Sequence, residues 1–215
     1  MKKIFFVLIL FFMTAGIVNA QYFAGGSFSF NTSGGETETP DTTMDNPSST
    51  SFSFNPKGGM FLSEKLLVGL ELSYSLSKSV TPGHPEVTDK SSSFGISPFA
   101  RYYALNMGKF SIFGQANLGY SSSSSETTTG NTTTEGPKTN TIGLSAYPGL
   151  AYKLSDMVEI EAYINGLNFG LSRSKTTQTI AGDEITTKTT NFGLGASLDG
   201  ILTTGGLSIG AIIKF

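Results

Sequence analysis

The chain has no cysteine among its 215 residues, so no disulfide can stabilise it if it is exported. After residue 20, no stretch approaches the roughly 18 consecutive apolar residues that a transmembrane helix needs. Basic residues are also scarce. Lys2 and Lys3 account for two of 14, and the remaining 12 face 16 acidic residues, a net charge of −4. Binding of nucleic acid needs a basic face, so the charge balance argues against it.

The first 20 residues have the pattern of a secretory signal peptide. Lys2 and Lys3 precede the apolar run Ile4–Met13, and Val18 and Ala20 form a small-x-small cleavage pattern. The alternative is an N-terminal membrane helix, but the apolar run is too short to span a bilayer. We therefore predict a signal peptide at 1–20 and a single exported domain at 21–215.

Apolar residues in the remainder are abundant but dispersed, with the two-residue period of β-strands. In the clearest segment, one face carries Leu66, Val68, Leu70, Leu72, Tyr74 and Leu76. The same alternation recurs in segments that begin at Tyr22, Ser51, Phe94, Phe110, Ile142, Val158 and Thr190. The opposite faces are mainly Gly, Ser, Asn, Gln and Glu, whose side chains are too small and too polar to form a dry core, so we predict that the apolar faces point outward into lipid.

Connections between these segments alternate in length. The short ones cover 62–65, 105–109 and 154–157, and the long polar ones cover 33–50, 78–90, 121–139 and 172–189. Short turns on one rim and long polar loops on the other are typical of outer-membrane barrels. The sequence therefore predicts an all-β fold, a transmembrane antiparallel up-and-down β-barrel with short periplasmic turns and long extracellular loops.

Strand number and two prolines need comment. Eight strands satisfy the even-number rule directly, whereas ten would require one segment to be split, most plainly around 190–206, so we predict eight strands. Pro98 and Pro148 interrupt predicted strands, and each removes a hydrogen-bond donor from a ladder. We expect them at bulges or near a rim.

The C-terminal strand ends on an aromatic residue, which suits the bilayer interface better than a fraying soluble terminus. Its apolar face consists of Leu207, Ile209, Ala211, Ile213 and Phe215. We predict that this face meets outer-membrane lipid and that the barrel-assembly machinery reads the strand as an assembly signal. The protein is expected to be a monomer.

Two internal stretches carry a family resemblance. Ser97–Tyr103 reads SPFARYY and Phe113–Tyr120 reads FGQANLGY. With the terminal strand, they resemble the small outer-membrane β-barrel family related to the OmpA and OmpX barrels, often described as porin-like. The resemblance implies an integral outer-membrane protein of a Gram-negative bacterium, without an assigned reaction.

Charged residues on the small, polar face are the candidate functional residues. They are Lys57, Glu71, Arg101, Glu159, Glu161 and Asp199. An eight-stranded barrel has room only for side chains, and buried charges need partners, so we predict a salt-bridged plug in which Arg101 pairs with Glu71. The alternative is an ion or proton path or a gate. Glu159 and Glu161 lack a third ligand beside them in sequence, so no metal or cofactor is expected.

The preferred function at this point is a structural or surface-interaction role in the outer membrane, with polar Ser/Thr-rich loops outside the cell. A narrow passive channel is the first alternative. A barrel enzyme that modifies lipid A is the second, and it would need the single histidine, His84. His84 lies in a proline-bracketed loop, where a catalytic group is difficult to preorganise, so we do not expect an enzyme.

Overall fold

A computed structural model describes residues 21–39, 42–164, 167–180, 182–196 and 207–215. The predicted signal peptide at 1–20 lies outside the described residues and stays a prediction. No helix among the described residues is long and apolar enough to cross a membrane.

Twelve strands make up the regular structure of the described residues. They are β1 (Tyr22–Ser33), β2 (Glu36–Thr39), β3 (Thr42–Asp45), β4 (Ser48–Phe61), β5 (Leu66–Thr81), β6 (Val87–Met107), β7 (Phe110–Thr129), β8 (Thr132–Lys153), β9 (Val158–Ile164), β10 (Leu167–Ile180), β11 (Asp183–Ala196) and β12 (Leu207–Lys214). β2 and β3 form a separate small hairpin, and the other ten belong to one antiparallel sheet.

The sheet closes on itself as a barrel. β1 pairs with β4 on one side and with β12 on the other, and β12 pairs with β9. β9 in turn pairs with the end of β8, from Gly149 to Lys153. The closed ring is therefore β1, β4, β5, β6, β7, β8, β9 and β12, which confirms the predicted eight-stranded barrel.

The two remaining strands continue the ring outward. β10 follows β9 along the edge of β8, and β11 returns beside β10 towards β12. The predicted ambiguity between eight and ten strands arises here, because one wall of the barrel is divided into β9 and β10 and the last one into β11 and β12. Within the described residues, β11 pairs with β10 alone, so the registered ring is complete only in the half that contains β9 and β12.

Tyr22 and Phe215 lie side by side at one end of the barrel, which we call the inner end. The Tyr22 N–H donates to the Phe215 carbonyl at 3.0 Å, and the Phe215 N–H donates to the Tyr22 carbonyl at 2.9 Å. The three short turns, at 62–65, 108–109 and 154–157, lie at this end too. The opposite end, where the long hairpins project, is the outer end.

Alternation places apolar side chains outside the barrel, as predicted. On β5, Leu70 and Tyr74 are 43% and 44% exposed, whereas Leu67, which faces the other side of the same strand, is fully buried. Exposed outward-facing leucine, isoleucine and aromatic residues recur on every strand of the ring. Such a surface is stable in lipid and not in water, which fits a membrane-spanning barrel.

Pro148 lies where β8 changes neighbours. β8 pairs with β10 as far as Ala146 and with β9 from Gly149 onward. A proline between these positions removes a donor where the ladder is already interrupted, so the loss is small. Pro98 similarly falls in a gap of the registered pairing between β6 and β7.

The long polar segments are ordered more extensively than irregular loops would be. β5 and β6 pair until only 82–86 connect them, and β7 and β8 pair until only 130–131 remain. These segments contain no apolar core, but a ladder between two strands needs only backbone pairing and β-compatible side chains such as Thr. The expected extracellular loops are therefore mostly strand extensions with short tips.

Directly opposed hydroxyl side chains hold these extensions together. The pairs include Ser29–Ser53 at 2.7 Å, Ser33–Ser49 at 2.9 Å, Ser75–Ser93 and Ser77–Ser91 both at 2.8 Å, Thr139–Thr176 at 2.9 Å and Thr141–Ser174 at 2.8 Å. Cross-strand hydroxyl pairs of this kind stabilise antiparallel sheets by roughly 0.2–1 kcal/mol each. The low-complexity composition thus has a structural role as a ladder.

Candidate functional site in the barrel lumen

A cluster of charged side chains fills the inner half of the lumen. Lys57 projects from β4, Arg101 from β6 and Glu161 from β9, and no two of these strands are neighbours in the ring. All three residues are buried, with exposed fractions of 6%, 1% and 0%. The cluster therefore crosses the lumen and joins its opposite walls.

Glu161 is the centre of this cluster. Its Oε2 accepts a hydrogen bond from the Lys57 ammonium, and its Oε1 accepts one from Nη1 of Arg101. The Tyr163 hydroxyl also donates to Oε2, at 2.6 Å. One carboxylate thus neutralises part of the charge of two buried cations. This attraction offsets the cost of removing the two cations from water only because each cation is also hydrogen-bonded.

Neutral side chains satisfy the rest of the Arg101 guanidinium. Nε and Nη2 donate to Oε1 of Gln115 at 3.0 and 2.8 Å, and Nη2 also donates to the Tyr163 hydroxyl at 2.9 Å. Nη1 donates to the Tyr103 hydroxyl at 3.2 Å. The guanidinium carbon lies 4.1 Å from the centre of the Phe113 ring, a cation–π contact.

A second ion pair lies nearer the inner end. Lys214 donates to Oε2 of Glu159 at 2.7 Å, and the Tyr103 hydroxyl donates to Oε1 of the same carboxylate at 2.9 Å. The Lys214 ammonium lies 4.8 Å from the centre of the Phe61 ring. Tyr103 therefore links this pair to Arg101, and the two ion clusters form one network.

An amide and a phenol form the outer boundary of the network. Gln115 donates from Nε2 to Oδ1 of Asn117 and to the Tyr147 hydroxyl, both at 2.9 Å. Asn117 also donates to that hydroxyl at 2.9 Å. Within the described part of the chain, no buried side-chain nitrogen or oxygen lacks a hydrogen-bond partner.

Apolar and aromatic side chains fill the space between these polar groups. The buried core consists of Phe23, Leu67, Phe99, Tyr103, Phe113, Ala151, Tyr163 and Ile212, with Phe61 and Tyr147 packed against it. Ring pairs such as Phe113–Tyr163 and Tyr147–Tyr163 meet edge to face, with centroids 5.7 and 5.6 Å apart. We call this core and the ion network together the plug.

The expectation of a lumen too polar for a dry core is wrong for the inner half. Small polar residues dominate the inward positions of the whole chain, but the large ones are concentrated near the short turns. Phe99, Arg101 and Tyr103 occupy three successive inward positions of β6, which is the sequence signal for a filled cross-section. The residues missed by sequence reasoning are therefore chiefly the aromatic ones.

The predicted charged set divides into three groups. Lys57, Arg101, Glu159 and Glu161 lie in the network described above, and Asp199 lies outside the described residues. The predicted Arg101–Glu71 pair is wrong. Glu71 is registered with Lys57 on one side and with Ser97 on the other. Arg101 is registered with Leu67, which lies four residues from Glu71 along β5. Glu71 forms no ion pair among the described residues, and Arg101 pairs with Glu161 instead.

Above the plug the lumen widens into a polar vestibule. Its cavity of about 430 Å³ is lined by small inward-facing residues, including Ser73, Ser97, Asn117, Ser145 and Gly170. The described residues contain no group of three His, Cys, Asp or Glu side chains placed to hold a metal ion. The arrangement thus offers a closed inner lumen and a water-accessible outer one.

Comparison with known proteins agrees with this geometry. Residues 5–199 match the family model described as outer membrane protein beta-barrel domain. The chain belongs to this family. It is therefore an outer-membrane β-barrel protein, as the resemblance implied. No curated protein matches the chain at a significant level.

Several solved outer-membrane structures are similar to the barrel. Neisserial surface protein A is 14% identical, with a TM-score of 0.37 over 91% of this chain and 97% of that one. A major outer membrane protein of Thermus thermophilus is 13% identical, with a TM-score of 0.45 over 92% and 100%. OmpT of Vibrio cholerae is 19% identical, with a TM-score of 0.29 over 92% and 53%. The family assignment rests on the family match.

The plug predicts a large effect of one charge-neutralising substitution. Glu161→Gln keeps the shape of the side chain but leaves Lys57 and Arg101 buried without their carboxylate, which should lower the free energy of unfolding by about 3–5 kcal/mol. The measurement is urea unfolding of the barrel folded into lipid vesicles.

Glu126→Gln is the matched control. Glu126 pairs with Lys90 at 3.1 Å, but both side chains are roughly half exposed, so its loss should change the stability by at most about 1 kcal/mol. Equal losses for the two variants would show that the Glu161 cluster does not hold the barrel together.

Proposed function

We propose that the protein is a closed-lumen barrel that anchors polar β-hairpins in the outer membrane and presents them at the cell surface for interaction with other molecules. The plug is the observation that carries this proposal. The largest fully buried side chains fill the inner half of the lumen, and each is at most 2% exposed. They are Arg101, Phe113, Leu67, Ile212, Gln115 and Glu161. A barrel filled in this way supports an anchoring role better than a conducting one.

The outer hairpins support the display part of the proposal. On β7, nine residues separate Tyr120, at the outer aromatic edge, from Thr129 at the hairpin tip. At about 3.3 Å per residue the strand continues for roughly 30 Å beyond the apolar band. The hydroxyl ladders keep this extension ordered, so each hairpin tip lies at the end of a rigid pair of strands.

The direction of insertion follows from turn length. Outer-membrane barrels place short turns in the periplasm and longer segments outside. The inner end, with its three short turns, Tyr22 and Phe215, is accordingly assigned to the periplasm. Export would depend on the predicted signal peptide at 1–20, and the mature chain is proposed to act as a monomer.

Assembly is proposed to use the C-terminal strand. On β12 the outward side chains of Ile209, Ile213 and Phe215 are 64%, 51% and 67% exposed, and the inward Ile212 is fully buried. The strand closes the ring against β1 and presents its apolar face at the seam. This supports recognition of Ile209, Ala211, Ile213 and Phe215 by the barrel-assembly machinery, together with Leu207, whose side chain lies outside the described part.

Conductance of the purified barrel in planar bilayers tests the closed lumen. The unsubstituted protein is expected to give no stable unit conductance. A variant with Arg101→Ser, Phe113→Ala and Tyr163→Ser shortens three plug side chains and is expected to conduct once circular dichroism has shown that it folds. Stable current steps from the unsubstituted protein would instead support the alternative function, a narrow passive channel.

Epitope insertion tests the display role with two matched turns. Gly130 and Gly108 each begin a two-residue connection, with φ angles of +57° and +65°, at opposite ends of the barrel. An epitope inserted after Gly130 is expected to bind antibody on intact cells. The same epitope after Gly108 is expected to bind only after permeabilisation, and labelling of it on intact cells would mean that the orientation is inverted.

Phe215→Ala tests the assembly signal, with Phe192→Ala as control. Both rings are outward and similarly exposed, at 67% and 71%, but Phe192 lies on β11, away from the C-terminus. Both variants should fold in detergent, because an exposed ring contributes little packing. Only Phe215→Ala should accumulate in the periplasm, and normal outer-membrane levels of both variants would mean that the ring is not read during assembly.

A further inference from the structure

A group of basic side chains faces outward at the outer edge of the apolar band. On β10, Arg173 is registered with Ile142 of β8, which in turn lies opposite Tyr120 of β7. Lys175 lies two residues farther outward on β10, and Lys188 lies directly opposite it on β11. All three cations are exposed. We call Arg173, Lys175 and Lys188 the basic cluster.

The height of the cluster follows from strand geometry. Ten residues separate Phe110 from Tyr120, the aromatic residues near the two ends of the apolar band on β7. With about 3.3 Å per residue and a tilt of about 40°, they lie roughly 25 Å apart along the membrane normal, which matches the height of the apolar band. The basic cluster therefore lies at the level of the head groups in the outer leaflet.

No described side chain neutralises the charges in the cluster. Lys175 and Lys188 are directly opposed, an arrangement that destabilises a sheet through like-charge repulsion. None of the three basic side chains forms an ion pair with a residue that the structure describes. A second pair of directly opposed lysines, Lys78 and Lys90, differs in this respect. Lys90 of that pair has the Glu126 carboxylate at 3.1 Å.

An apolar groove lies on the same side of the barrel, towards the middle of the band. It has a volume of about 680 Å³ and extends from Leu66 on β5 to Leu194 on β11. Its floor is formed by small residues and its edge by leucines, including Ala100, Gly114, Ala116, Ala146, Leu167 and Leu194. Leu194 lies six residues from Lys188 on β11, about 20 Å along the strand, so the groove and the cluster are parts of one face.

The two features together match a single kind of molecule. A phosphate group satisfies closely spaced cations by charge-assisted hydrogen bonds, and acyl chains fill an apolar groove. A soluble anion would use the cluster and leave the groove unused. A purely apolar ligand would use the groove and leave the like charges opposed. Lipids of the outer leaflet that carry phosphate on an acylated head group use both.

We propose that the outward face of β8, β10 and β11 binds a phosphate-bearing acylated lipid of the outer leaflet, with its phosphate on Arg173, Lys175 and Lys188 and an acyl chain in the groove. The site rests on one part of the proposed function, that the barrel spans the outer membrane with its short turns in the periplasm. It does not depend on a closed lumen, so conductance by the unsubstituted protein would leave it standing.

Lipid titration of the mature barrel in detergent micelles tests the head-group part. The probes are bisphosphorylated hexa-acyl lipid A and the same lipid after removal of both phosphates, read by native mass spectrometry. Lys175→Thr with Lys188→Thr should weaken binding of the phosphorylated lipid about tenfold or more, because two charged hydrogen-bond donors are lost. It should not alter binding of the dephosphorylated lipid.

Lys78→Thr with Lys90→Thr is the matched control. It removes an equivalent opposed pair of lysines, but one that already has Glu126 beside it, so the affinity should change by less than about twofold. Equal losses in the two double variants would overturn the proposal, since binding would then reflect overall charge. An unchanged affinity in the Lys175 and Lys188 variant would overturn it too.

The groove has a separate test. Ala146→Phe fills the floor of the groove, and Ala24→Phe adds the same ring to an outward position of β1, away from the groove. Only Ala146→Phe should weaken binding of the phosphorylated lipid. If neither variant affects binding and inorganic phosphate competes fully with the lipid, the cluster is a site for free phosphate, and the lipid assignment is overturned.

Discussion

Burial of the Glu161 carboxylate between two cations is the constraint on which the rest of the barrel depends. Lys57, Arg101 and Glu161 come from β4, β6 and β9, so one set of ion pairs fixes the distances across the lumen between strands that are not neighbours. A buried ion pair is a weak source of net stability, because removal of charges from water offsets most of the attraction. Its geometric effect is larger. A slip of β9 by one residue would turn Glu161 into the lipid and leave both cations unpaired.

The plug and the outer hairpins are stabilised by different physical means. In the inner half, aromatic rings and ion pairs are removed from water, and stability comes from burial. Beyond the apolar band, the hairpin strands have water on both sides and depend on backbone ladders and opposed hydroxyls. The vestibule separates the two halves. This division explains why inward positions are large near the short turns and small near the long hairpins.

Alternation, turn length and the aromatic C-terminus were sufficient to predict the membrane barrel, because each reflects a local rule that one segment obeys by itself. The charged partners were harder. Arg101 was assigned to Glu71 since their strands are adjacent, but the carboxylate that neutralises it comes from β9, on a different part of the ring. Contacts across a lumen depend on shear and on the lengths of all eight strands, which no single segment encodes. Split strands have the same difficulty, because the break between β9 and β10 follows from a change of partner along β8.

The hydroxyl ladders have a consequence for how the surface of this protein can vary. Serine and threonine at opposed positions are nearly interchangeable, and the backbone ladder that they support does not depend on which of them is present. Side chains at the tips and between the ladder positions are under no comparable packing constraint. The side chains of the hairpins can therefore differ in sequence while the length and direction of the hairpins stay constant. This property suits a surface whose binding residues vary.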